Sequence, residues 1–289
     1  MSQTNHQGQD DDLQPLLQRF DEEFGQRSPD EPPPIAGEAQ PIRQPGYQLR
    51  LPLATPRAVW VLLAINIAVF AIPTLLQMIG VRIDGIPIND YVLDLGAKSN
   101  AAIKQNGEYY RLISATFLHA GLLHIGFNAY ALYVLGPEAE RLYGTPRFLA
   151  LYFIAGLAGS IASYALTPND GVGASGAIFG LIGGLASFYY ASRRLLGDIA
   201  RRQIGSLVTV IMINLFIGFS SQLIDNSAHI GGLVGGALIG WLLAPRFEVD
   251  ERLYPPAVVR RSLALAWPGA LGILALLILL ALVINPPIR

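Results

Sequence analysis

From Ala58 onward, long apolar stretches alternate with short polar ones. Seven of them approach the roughly 20 residues a helix needs to cross bilayer hydrocarbon. They are Ala58–Gly80, Ala115–Gly136, Pro146–Leu166, Ser175–Ala191, Ile204–Phe219, Ala228–Ala244 and Leu263–Ile284. Stretches of this length satisfy their own backbone groups in lipid as helices. The predicted fold class is an all-α polytopic membrane protein. A six-helix core covers residues 58–244, with a long first loop at 81–114; a cytosolic linker at 245–262 leads to a seventh transmembrane helix within 263–289.

A second pattern lies inside two of these segments. Glycine recurs every fourth residue in the fourth segment (Gly176, Gly180, Gly184) and again in the sixth (Gly232, Gly236, Gly240). Such spacing leaves a smooth stripe on one helix face. In lipid, burial gives helices little reason to associate, and stripes of this kind let two backbones approach and pack by van der Waals contact. Ser175 heads the first ladder and His229 the second. If the ladders face each other in parallel, the two residues differ by about 3 Å in height.

The polar residues before Ala58 form a different region. Residues 1–57 carry nine acidic side chains and the run Pro32–Pro33–Pro34. They lack the apolar area to fold alone and are expected to be a disordered cytosolic tail. Leu13, Leu16, Leu17, Phe20 and Phe24 share one helical face. That face reads as a transient helix or, alternatively, as a docking stretch for a protein partner; its acidic polar side disfavours an anionic lipid surface.

Loop charge sets the expected orientation. Arg43, Arg50 and Arg57 precede the first segment, Arg141 and Arg147 lie between the second and third, Arg193, Arg194, Arg201 and Arg202 between the fourth and fifth, and Arg246, Arg252, Arg260 and Arg261 between the sixth and seventh. The opposite side has Arg82, Lys98, Lys104 and Arg111 in the first loop and Arg289 at the end. The positive-inside rule then predicts a plasma (inner) membrane protein with a cytoplasmic N-terminus and an outer C-terminus. Segments two, four and six all begin at the outer face. The short fourth segment implies that the loop Thr167–Ala174 before it dips into the membrane. Tyr109, Tyr110 and Arg111 read as an interfacial anchor with a snorkelling cation.

Composition agrees: 52% of the 289 residues are hydrophobic, 14% are charged and the net charge is −1. No basic footprint for nucleic acid exists. The absence of cysteine removes disulfides and thiolate metal sites. The polar, acidic start lacks the features of a cleavable signal peptide and of a transit sequence.

The candidate chemistry lies in one layer. Three of the four histidines fall within predicted spans, where ionisable groups are costly and point to function. Serine in a small-residue helix ordinarily packs or bonds back to a carbonyl. Ser175, however, opens its helix, where unpaired first-turn N–H groups and the dipole would stabilise an oxyanion. A histidine near a helix end ordinarily makes interhelical hydrogen bonds, but the register of His229 with Ser175 suits a general base. Asp225 is read as a helix cap rather than a third catalytic member. His124 and Asn128 share a face, as a polar seam or as oxyanion donors. His119 lies on another face and is expected to bond loop backbone. No metal or other cofactor is called for: the layer has no acidic residue and no His-Glu-x-x-His.

These residues resemble the rhomboid intramembrane serine proteases over 110–244. The motifs that carry the resemblance are His119-x4-His124-x3-Asn128, Glu140-x3-Gly144, Gly173-x-Ser175-Gly176 and Ala228-His229-x2-Gly232-x3-Gly236. The resemblance implies Ser175 as nucleophile and His229 as general base. It also implies that His124, Asn128 and the Ser175 backbone N–H bind the oxyanion, with Gly173, Phe179, His119, Gly232 and Gly236 in support. It implies the fifth segment and the Ser220–Ser227 loop as a movable gate and cap, and the seventh helix as a six-plus-one arrangement. Two positions depart from the common pattern. Tyr110 stands before Arg111 where many members have Trp, and Phe179 stands one turn after the serine where many have Tyr. The ring at Phe179 keeps a stacking surface and loses a hydroxyl.

The expected function is intramembrane serine endopeptidase activity by a Ser-His dyad. Its substrates and partners would be single-span or other transmembrane proteins within the lipid bilayer. The alternative is a non-catalytic rhomboid-like binder or chaperone of transmembrane helices. A transporter ranks last, for want of repeat halves and an acidic intramembrane relay.

Overall fold

The computed structural model describes residues 51–221, 224–250, 252–253 and 257–288. The acidic tail and its amphipathic stretch therefore lie outside the described residues, apart from 51–57 at the tail's end. Arg289 and residues 222–223 of the Ser220–Ser227 loop also lie outside them.

The described chain is mainly helical. The first span, α1, is Ala58–Met78. In the first loop, a hairpin of β1 (Arg82–Ile83) and β2 (Ile86–Pro87) precedes α2 (Ile88–Gly96), α3 (Asn100–Asn106) and α4 (Arg111–Ser114). The next spans are α5 (Leu122–Tyr143) and α6 (Thr145–Leu166). Then come α7 (Ser175–Ala191), the short α8 (Arg193–Leu196), α9 (Asp198–Phe219) and α10 (Asn226–Leu243). A hairpin of β3 (Arg246–Asp250) and β4 (Ala257–Arg261) leads to the last span, α11 (Ala266–Val283). Among the described residues five helices are long and apolar enough to cross a membrane, and the chain is a multi-pass membrane protein.

The second and fourth spans are the exceptions. The second is bent: α4 and the 3-10 turn Ala115–Phe117 meet α5 at 90°. The span expected at Ala115–Gly136 thus starts at Leu122 and runs on to Tyr143, because an extended residue at Leu118 and Gly121 break the helix before it. The fourth span, α7, has 17 residues and is buried along most of its length. It packs against α10 and α6 most extensively.

Helix ends explain the arrangement. At the base of α1 no side chain of its own caps the first turn. Instead Glu140 of α5, with 0% exposure, accepts from Ala58 N–H at 3.0 Å and Val59 N–H at 2.9 Å, and from Thr145 Oγ1 at 2.6 Å. A carboxylate at a helix N-terminus satisfies orphan donors and complements the dipole. It also pins α1 and the start of α6 to the end of α5. Gly144, with φ 78°, turns the chain, and Pro146 opens α6 where its missing N–H costs nothing.

One feature of the first loop differs from expectation, and the linker has structure of its own. Arg111 does not snorkel. It is 7% exposed, pairs with Glu108 at 2.6 Å and donates to the carbonyls of Asp94 and Ala97 at the end of α2. A helix C-terminus with free carbonyls attracts a guanidinium more strongly than headgroup water does. The 245–262 stretch folds as the β3–β4 hairpin. Phe247 packs its ring on Phe188, and Arg260 donates to the carbonyls of Leu142 (3.0 Å) and Tyr143, closing the end of α5.

Candidate active site

The site is built where α7 and α10 touch. A Cβ on Gly232 or Gly236 would collide with the backbone of Gly176 or Gly180, and one on Gly240 would lie 2.5 Å from the Cα of Gly184. Only glycine allows this approach. The three rungs pair in order, so the helices run parallel in register. Tyr143 locks the Gly184–Gly240 end of the seam, its hydroxyl donating to Gly184 O at 2.7 Å with Gly240 O at 3.1 Å.

At the other end of the seam the register brings Ser175 Oγ to 3.0 Å from His229 Nε2. His229 is 8% exposed and its ring is stacked on Phe179, centroids 4.3 Å apart and planes 10° apart. That stack fixes the imidazole plane without a hydrogen bond. Its Nδ1 is buried without a partner. Asp225 does not reach it. Asp225 caps α10 by accepting from Ala228 N–H at 3.0 Å, and its second oxygen accepts from Ser163 Oγ. For Nε2 to accept the serine proton, Nδ1 must carry the ring's own hydrogen.

The backbone before Ser175 is shaped by Gly173. Its φ of 129° is one that side chains rarely adopt, and its N–H donates to Ala115 O at 2.9 Å. Two α5 side chains close on it. A Cβ at Gly173 would lie 2.6 Å from His124 Nε2 and 3.7 Å from Asn128 Nδ2. His124 Nδ1 faces the Ala120 N–H at 3.4 Å, which makes it the acceptor and leaves Nε2 as the protonated nitrogen. Two side-chain nitrogens therefore flank the backbone at Gly173, two residues before Ser175. Ala174, the residue at the N-cap of α7, offers no side-chain cap, so no side chain occupies the first-turn amides.

His119 does not reach this space. It packs edge-on against His124, with centroids 5.1 Å apart, and the loop backbone it faces is that of Phe117, in keeping with the expected loop contact. Two residues beside the site carry no sequence signal for their place there. Lys98 and Asn100 of the first loop are both buried and bond the backbone that precedes Ser175. No periodicity or motif marks them; a lone cation and amide in a polar loop read as solvent-facing.

The family model for the rhomboid domain matches residues 106–246. Rhomboid protease GluP of Bacillus subtilis (strain 168) is 46% identical over 142 residues, covering 49% of this chain and 27% of GluP. RHOMBOID-like protein 5 of Arabidopsis thaliana is 33% identical over 265 residues, 81% of this chain and 83% of that protein. RHOMBOID-like protein 4 of the same plant is 35% identical over 191 residues, 65% of this chain and 48% of that one. The chain thus spans about a quarter of GluP but most of RHOMBOID-like protein 5, and the match takes in every span from the second to the sixth. With that extent of likeness across its helical core, the chain belongs to the rhomboid family.

Proposed function

We propose that this protein is an intramembrane serine endopeptidase that cleaves within or beside a transmembrane segment of another membrane protein. The observation that carries this is the 3.0 Å contact of Ser175 Oγ with His229 Nε2, held by a ring stacked on the imidazole. One relative is named a rhomboid protease, which supports the reaction class.

In the proposed reaction Ser175 Oγ attacks the scissile carbonyl while His229 Nε2 takes its proton. The tetrahedral oxyanion is met by His124 Nε2–H, Asn128 Nδ2–H and the Ser175 N–H. His229 then returns the proton to the leaving amine, and water, deprotonated in turn by His229, hydrolyses the acyl-enzyme. The unpartnered Nδ1 and the structural duty of Asp225 favour a dyad over a triad. A hydrogen-bonded helical substrate hides its carbonyl carbon, so the cleaved segment must locally unwind. Small residues at the cut and helix breakers beyond it are the expected preference.

The test is a panel of single-span proteins in micelles, with cut sites mapped by mass spectrometry. Ser175→Ala and His229→Ala should abolish cleavage. Full turnover by Ser175→Ala would refute the proposal. A fluorophosphonate should label Ser175 in the wild type. Persistent absence of label on folded protein would favour a non-catalytic binder of transmembrane helices.

A further inference from the structure

A buried polar cluster that the proposed reaction does not use lies beside the loop that delivers Ser175. The first loop and the 167–174 loop are joined by a short antiparallel bridge. Lys98 N–H donates to Gly171 O and Gly171 N–H to Lys98 O, both at 2.9 Å. Lys98 is only 1% exposed. Its ammonium has three protons and finds three acceptors: Asn169 O at 2.6 Å, Asn100 Oδ1 at 3.2 Å and Thr167 O at 3.3 Å. Burial pulls its pKa below the ordinary lysine value, while the charges of Asp225 and Asp170 hold it up.

Asn100 extends the cluster to two further parts of the chain. Its amide nitrogen lies 2.9 Å from Thr167 O, 3.3 Å from Tyr164 O at the end of α6, and 2.7 Å from Pro287 O. Pro287 follows the seventh span. The cluster also adjoins the cap of the helix that carries His229: a Cβ on Gly171 would lie 3.2 Å from Lys98 Cε and 3.8 Å from Asp225 Oδ2. The 167–174 loop has little regular structure of its own to fix it, so these side chains supply much of what holds it.

We propose that Lys98 and Asn100 are positioning residues for Ser175. They strap the 167–174 loop at the depth where Ser175 meets His229, and Asn100 ties that strap to the chain end beyond the seventh span. The seventh helix then serves the site by supplying the Pro287 carbonyl. This rests on the proposed protease activity.

The experiment uses the full chain in detergent micelles, beside Asn100→Ala, Lys98→Met, a chain lacking residues 286–289, and that shortened chain carrying Asn100→Ala. Hydrogen exchange of the 167–174 amides, the rate of fluorophosphonate labelling at Ser175, and kcat and KM for a single-span substrate are measured. Lys98→Met and Asn100→Ala should speed loop exchange and slow labelling by about 10-fold to 100-fold, as expected when a nucleophile is misplaced. The loss should fall on kcat rather than KM. The shortened chain should show part of this defect, and adding the shortening to Asn100→Ala should change nothing more, because both remove the same bond. General destabilisation would instead make the effects add, which would overturn the strap. Should Asn100→Ala or Lys98→Met fail to fold, the shortened chain carries the test alone, since it leaves every helix intact. Wild-type loop exchange and labelling in the variants would sink the strap and leave the protease intact. An unlabelled wild type would sink the protease activity and the positioning role together, whereas loop exchange would still report on the strap.

Discussion

At Gly173 two physical demands coincide. Its φ of 129° admits only glycine without strain of about 1–3 kcal/mol, and any Cβ would press on His124 Nε2 and Cε1 at 2.6 and 2.8 Å. Gly173→Ala should therefore push His124 away from the site. We expect kcat/KM for a transmembrane substrate to fall by about 10-fold to 100-fold. Asn128→Ala removes one of several proposed oxyanion donors, so it should cost about 10-fold to 10³-fold in kcat, less than Ser175→Ala. Phe179→Tyr keeps the stack and should leave turnover unchanged; Phe179→Leu frees the imidazole plane and should lower kcat. Some of this is legible in sequence, because Phe179 lies one turn after Ser175 and must share its face. Other residues are not. Lys98 and Arg111 read as loop charges, yet they are 1% and 7% exposed. Most of their partners are backbone carbonyls, of Asn169 and Thr167 for Lys98 and of Asp94 and Ala97 for Arg111, and carbonyls leave no trace in a pattern of side chains.

Among elements, the contact of α7 with α10 is the most sensitive. A methyl on Gly236 would meet Gly180 backbone atoms at distances no real contact shows, and backbone cannot swing aside as a side chain can. Gly236→Ala should separate the helices, lower the unfolding temperature in micelles and slow fluorophosphonate labelling of Ser175. Gly272→Ala in α11 is the control. Nothing lies within 4 Å of a Cβ there, so it should be neutral or gain up to about 1 kcal/mol from helix propensity. At the opposite end of the molecule, Glu140→Gln turns an acceptor of three donors into a group with N–H of its own. A buried donor left unmatched costs about 1–3 kcal/mol. The unfolding temperature should drop, while labelling of Ser175 at a permissive temperature should persist. The glycine ladders are readable in advance because small residues at every fourth position define one face and one register. The bend before α5 is not, since Ala115–Leu123 stays mainly apolar despite Thr116 and His119, and hydrophobicity alone cannot see a break at Leu118. The β3–β4 hairpin did leave a signal: Arg246-Phe247-Glu248-Val249-Asp250 alternates with period two. Its five-residue strands are overshadowed by the long apolar helices on either side.

For the whole molecule the open physical question is which way it faces, and the burial pattern sharpens the charge argument. We propose that the N-terminus and the β3–β4 hairpin are cytoplasmic and that the first loop is outside. Positive charge on the proposed outer side was the main count against this. Of Arg82, Lys98, Lys104 and Arg111, however, two are buried among protein carbonyls rather than presented to a membrane surface. Arg193, Arg194, Arg201 and Arg252 are exposed on the side assigned inside. The asymmetry in exposed charge is therefore steeper than the sequence count, and that asymmetry sets orientation. A chain without cysteine allows a direct measurement. Lys104→Cys and Leu253→Cys place single thiols at exposed positions, one in the first loop and one beside the β3–β4 hairpin. In intact bacterial cells with a permeable outer layer, a membrane-impermeant maleimide should label Lys104→Cys at once. Leu253→Cys should label only after the inner membrane is opened. The reverse pattern would place the Ser175 end of the α7–α10 seam on the cytoplasmic side, and substrates would then have to be cut near their inner rather than their outer end.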